Sequence, residues 1–216
     1  MKHQWLNSMK ATITVVVIGA VVGCASVPPL IPITDPEQRQ QFNGFSVLPP
    51  RGKDWNWVGR DGQDTSHFFN ATFVKRPSGT TPNTYVAIVE VLHTEGRKLV
   101  TSEQLHSYVK NLNIMQEGPR QQNVKSVFAI DHTLGPLCVR FDLEATDSSV
   151  LGWSGSIFNV DVHGFTCVHT KTADVLVTIA YSRRTLQGHP PLGGNDEGEW
   201  FLSNLQLTSV QGRQAP

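Results

Sequence analysis

The chain has 216 residues and a mass of 23.8 kDa, room for one ordinary domain with a short appendage but not for two independent cores. A composition of 39% hydrophobic and 17% charged residues excludes a mainly disordered chain, and 18 basic against 18 acidic residues excludes the positive field that drives nucleic-acid binding. Thirteen prolines and 18 glycines favour many turns and short strands, while three cysteines are too few for a disulfide-built miniprotein and too scattered for a zinc cluster.

The first ten residues carry Lys2, His3 and Lys10 and no acid, and the next twelve, residues 11–22, carry no charge. A positive segment followed by an apolar one is the pattern of an export signal. As a helix the apolar run spans ~18 Å, short of the ~30 Å hydrocarbon core, which disfavours a transmembrane anchor. The run ends in Val21-Val22-Gly23-Cys24, followed by Ala25-Ser26. This stretch resembles a bacterial lipoprotein lipobox. The resemblance implies a signal peptide of residues 1–23, removal of that peptide, and diacylglycerol attachment and acylation at Cys24. Ala25, in place of an Asp, implies sorting to the outer membrane with the body facing the periplasm. The alternative is an ordinary secretory signal with a cysteine at its cleavage site. Loss of residues 1–23 takes Lys2 and Lys10 and no acid, leaving 16 basic residues against 18 acidic, so the body has no electrostatic reason to lie on an anionic bilayer.

Residues 25–34 hold Pro28, Pro29 and Pro32 without a charge and read as an extended tether. Asp35-Pro36-Glu37-Gln38 has the pattern of a helix start, so a short helix is expected over residues 36–41. From Phe42 the pattern turns to strands, expected over residues 45–48, 67–75 and 84–93, the last two split by the turn Arg76-Pro77-Ser78-Gly79. Thr101 and Gln104 fit a capping box ahead of Leu105, Tyr108, Val109 and Leu112 at helical spacing, which predicts a helix over residues 101–113 that ends before Gly118-Pro119. Strands follow over residues 124–134, 137–145, 157–170 and 175–182, with tight connections that favour antiparallel pairing. A loop rich in glycine and proline, residues 188–198, precedes a last helix carrying Trp200, Phe201, Leu202 and Leu205. Residues 42–210 thus read as one domain, and residues 211–216 as a disordered tail.

Strands, a central helix, further strands and a terminal helix make an α+β class: an antiparallel sheet with both helices packed on it. The opening Phe42-Asn43-Gly44-Phe45-Ser46-Val47-Leu48-Pro49-Pro50, the strand 84–93, the helix 101–113 and the later strands are similar in order to the PsbP/Mog1-like fold. That resemblance implies a binding or adaptor role, and with the lipid-anchored, periplasm-facing reading an envelope protein is the expected partner.

Chemistry is sparse. No HExxH, Walker A, CxxC, EF-hand or GxGxxG pattern occurs, so no enzyme activity, cofactor or metal is expected. Gly152-Trp153-Ser154-Gly155-Ser156 approaches a nucleophile elbow but lacks the second glycine and reads as a hairpin loop. Of the eight histidines, His163 and His169 share one strand's parity but are six residues apart and interrupted by Gly164, while His67, His93, His106, His132 and His189 fall on separate elements, so they read as exposed strand and loop residues. Arg140, Asp142 and Glu144 alternate with apolar residues, which gives either a solvated strand face or an acid/base pair. Trp55 and Trp57 stand in a polar stretch and, with Trp153, form the candidate binding surface; the alternative tucks one ring into the core and covers a sheet edge with the other. A hydrolase or glycan-binding protein using that surface is the second functional reading, to which a polar cleft joining it to Asp142 and Glu144 would point. Finally, a disulfide between Cys138 and Cys167 is expected if residues 137–145 and 157–170 pair about a loop near Gly152, since partners then sum to about 305. A bulge at Gly164 would break that register, leaving two buried thiols.

Overall fold

A computed structural model describes residues 29–58, 68–75, 82–94, 96–112, 114–150, 153–189 and 195–209. The signal peptide, Cys24, the 76–79 turn and the tail lie outside these residues.

The chain runs β1 (Leu30–Pro32), β2 (Gln40–Gln41), β3 (Phe45–Val47), β4 (Trp55–Val58), β5 (Phe68–Lys75), β6 (Thr84–His93), α1 (Ser102–Asn111), β7 (Gln121–Ile130), β8 (Cys138–Asp147), β9 (Phe158–Val168), β10 (Val175–Leu186), α2 (Asn195–Ser203) and β11 (Gln206–Leu207). Strands β4 to β6 form one antiparallel meander. The chain then crosses through α1 to the far edge and returns as a second meander, β7 to β10, which brings β10 beside β6. The result is an eight-stranded sheet of order β1-β4-β5-β6-β10-β9-β8-β7, with a small sheet of order β11-β3-β2 beside it.

Period-two alternation sends side chains to two faces. On one face Trp55, Phe73, Tyr85, Val89, Val177, Ile179 and Tyr181 form a core closed by Phe45 and Val47 of β3 and by Phe201 and Leu202 of α2. On the other face Val139, Phe141, Leu143, Val160, Val162 and Leu176 form a core with Leu105, Val109 and Leu112. The two helices therefore lie on opposite faces, α2 over β9 and β10 and α1 over β7 and β8.

This corrects the expected fold class. The molecule is mostly antiparallel β, not an α+β sandwich with a central helix and a C-terminal helix packed on its sheet. The physical reason is reach: α1 has ten residues, ~15 Å, and covers only one side of an eight-stranded sheet, so the small sheet and α2 close the other core. The helix expected at residues 36–41 is also absent. Glu37 N–H donates to Asp35 Oδ1 at 2.9 Å, but the turn does not propagate and Gln40–Gln41 pairs with β3. Within the expected tether, Leu30–Pro32 pairs with β4 as an edge strand.

Other expectations hold closely. Strand β6 has the expected bounds, and α1 is capped by Thr101, whose Oγ1 accepts from Gln104 N–H at 3.2 Å. Gln104 Oε1 in turn accepts from Val100 N–H at 3.0 Å. Strands β8 and β9 pair without a break through Gly164, with Phe141 opposite it, so no bulge forms there. Cys138 stands opposite Cys167 and the two are joined, their Cα atoms 4.1 Å apart. Val168 N–H donates to Leu137 O, which makes the cysteines a non-hydrogen-bonded pair, the position where antiparallel strands approach most closely.

Candidate functional site

The three tryptophans of the candidate binding surface do not meet. Trp55 is 2% exposed in β4, and its ring packs 6.2 Å from Tyr181. Trp57, two residues on, is half-buried against the same core, with Ile31 of β1 and Phe73 of β5 as register partners. Trp153 sits in the β8–β9 hairpin loop and meets Phe158 edge-on at 6.4 Å. Three strands, β5, β6 and β10, stand between β4 and β9. The three therefore do not form one surface: Trp55 is a core residue, Trp57 a half-buried neighbour between β1 and β5, and Trp153 a hairpin residue.

What surrounds Trp55 is a buried polar knot. Its Nε1–H donates to Arg51 O at 3.1 Å and to Glu197 Oε2 at 3.2 Å. Lys75 Nζ lies 2.8 and 3.0 Å from the two Glu197 oxygens, with both side chains largely buried. The carboxylate fits because Gly52, at φ +107°, has no Cβ: one there would collide with Glu197 Oε1. Burial, and then the Glu197 charge, push the Tyr181 phenol's pKa up, so it stays a neutral hydroxyl. The knot joins α2 to β4, β5 and the 51–54 turn.

Above it opens a groove of about 510 Å³ lined by Arg51, Asp196, Glu197, Glu199, Trp200 and Ser203. The Arg51 guanidinium lies 3.1 Å from the centre of the Trp200 ring and pairs with Glu37 at 2.9 Å, so the groove's aromatic face already has a cation on it. Sequence reasoning assigned Trp200 only to the terminal helix; the contact joins residues 149 positions apart and leaves no local signal.

The second polar assembly is the uncovered part of the same sheet face. Arg140, Asp142 and Glu144 do share it, as their alternation predicts. Asp142 Oδ1 lies 2.7 Å from His163 Nδ1, and its other oxygen 3.3 Å from Arg140 Nε. Asp161 pairs with Arg183 at 3.0 Å, and Glu144 with Lys125 at 3.7 Å. This is a strip of cross-strand ion pairs. An Asp–His pair resembles half of a hydrolytic triad, yet among the described residues no hydroxyl or thiol hydrogen-bonds His163. Among the described residues the groove beside Trp55 is lined by no residue of the strip, and α2 packs on β9 and β10 with Gly198 against the Tyr181 ring.

Two further polar groups are structural. His169, expected on the surface, is 1% exposed. Lys171 N–H donates to its Nδ1, so Nε2 carries the proton and donates to Thr208 O at 2.7 Å and Gly44 O at 3.2 Å, which ties the small sheet to β9. Asp147, fully buried, takes Arg120 at 3.2 Å and Arg184 at 3.5 Å. Among the described residues no group of three metal-ligating side chains converges.

No protein-family model matches the chain, and no curated protein matches it. Among solved structures it is similar to the crystal structure of LpqN, involved in cell envelope biogenesis of Mycobacterium tuberculosis, with a TM-score of 0.42 and 12% identity over 83% of this chain and 91% of that one.

Proposed function

We propose that the protein is a lipid-anchored cell-envelope protein, held by Cys24 on the outer membrane and facing the periplasm, that works by binding or scaffolding an envelope partner and not by catalysis. The carrying observation is the Cys138–Cys167 bond. A stable disulfide belongs to an oxidising compartment, and it leaves Cys24 as the one remaining thiol of three, at the end of an uncharged apolar run. Among the described residues no helix is long and apolar enough to cross a membrane. A diacylglycerol and an amide-linked acyl chain on Cys24 would together give stable attachment where one chain does not. With Leu30–Pro32 taken into the sheet, the six steps from Cys24 to Leu30 reach at most ~20 Å, and the β1 edge rides close to the bilayer. The non-catalytic reading is supported by the strip and the knot, whose charged groups are engaged with one another.

Radiolabelled palmitate and mass spectrometry of the mature N-terminus test the anchor. The wild type is expected to begin at an acylated Cys24, and Cys24→Ser to accumulate as an unlabelled, uncut precursor. Normal processing and release of Cys24→Ser would overturn the reading.

A further inference from the structure

The eight-stranded sheet ends in two unlike edges. The β1 edge has three residues, whereas the β7 edge has ten. Natural edges of that length are blunted by charge, proline or bulges. In β7 a register shift between Gln122 and Lys125, with Asn123 at φ +54°, blunts the first part only. Beyond it Ser126-Val127-Phe128-Ala129-Ile130 continues in regular pairing without a charge, Val127 62% and Ile130 40% exposed.

The ladder fixes which backbone groups face outward. Asp131 N–H donates to Cys138 O, so by alternation Lys125, Val127 and Ala129 bond inward to β8, while Ser126, Phe128 and Ile130 aim their N–H and C=O groups away from the sheet. His106 Nε2 lies 3.3 Å from Phe128 O, which confirms that this carbonyl faces out; its second lone pair can accept another donor.

We propose that β7 pairs antiparallel with β7 of a second copy of this chain, about a twofold axis at Phe128, to give one continuous sheet through both subunits. The segment is complementary to itself in that register. Ser126 falls opposite the partner's Ile130, Val127 opposite the partner's Ala129, and Lys125 opposite the partner's Asp131, the last pair formed twice. Of the registers that align outward-facing amides, this one alone sets Lys125 against the opposite charge; a two-residue step either way sets it against Ala129 or Thr133. Because α1 lies over β7 and β8, the axis brings its two copies about 10 Å apart, near helix packing distance.

Cysteine cross-linking of the full chain in intact membranes reads both contact and register. Val127→Cys with Ala129→Cys places thiols at a non-hydrogen-bonded cross-strand pair, and a reducible dimer is expected on non-reducing gels. Val127→Cys alone is expected to give little dimer, its two copies being offset diagonally. Efficient cross-linking by the single variant would overturn the register, and none by either would overturn the pairing. In light scattering of the detergent-extracted full chain, a wild-type dimer is expected, and Lys125→Asp is expected to weaken it about tenfold. Adding Asp131→Lys should restore the affinity; a wild-type monomer, or no rescue by the double swap, counts against the proposal.

Discussion

Gly164 occupies the middle of β9 because two neighbours leave no room for a side chain. A Cβ there would lie 2.5 Å from Ile179 O and 2.5 Å from the Phe141 ring, which covers the glycine from the opposing strand. Gly164→Ala is therefore expected to cost about 1–3 kcal/mol in urea denaturation, by forcing a buried ring and a backbone carbonyl apart. Glu90 is a different case. It sits on β6 with Asn70 and Thr178 as register partners, and burial raises its carboxyl above the ordinary 4.5. A raised acid pKa means the native state holds the proton more tightly, so this contribution to stability is full below 4.5 and is lost as pH rises through the native value. Glu90→Gln should be more stable than wild type near neutral pH, and the two unfolding curves should converge in acid. At this scale the disulfide was legible and the glycine was not. Antiparallel partners keep a constant sum, so one assumed hairpin sets every pair, whereas the reason for Gly164 lies in what stands over it. His169 was misread for the same reason, its partners coming from residues 125 and 39 positions away.

Elements that carry their own signal were readable. Strand β6 alternates over ten residues, and α1 announces itself by Thr101 and by the stripe Leu105, Val109, Leu112. Leu105 is fully buried, so Leu105→Ala is expected to cost about 2–5 kcal/mol by thermal or urea unfolding. Gln104→Ala, which loses only its bond from Val100 N–H at an exposed helix start, should cost less than about 1 kcal/mol. The elements that were missed are short. Strands β1, β2, β4 and β11 have two to four residues, too few for periodicity, and pairing with neighbours alone makes them strands. Strand β4 also illustrates how composition misleads, for the polar residues around Trp55 suggested an exposed loop, while Arg51 O and the Lys75-paired Glu197 carboxylate accept the N–H that lets its indole be buried.

For the molecule as a whole, the antiparallel character was legible and the arrangement was not. Nothing local says that the chain crosses from β6 to the far edge and works back, or that the helices take opposite faces. The grouping of the tryptophans fails for the same reason, since Trp55 and Trp57 share β4 while Trp153 lies beyond three intervening strands. Strand β10 is where the two halves meet. Val175, Val177, Ile179 and Tyr181 belong to one core, Leu176 and Ala180 to the other. Loss of either core strips a face from that strand, and with it the β6 and β9 ladders on both sides. Two separate apolar interiors are thereby bound into a single cooperative unit, and amide protons along Val175–Tyr181 should exchange with deuterium only through global opening, at the free energy measured by denaturant. Exchange there well below that free energy would mean that the halves open independently.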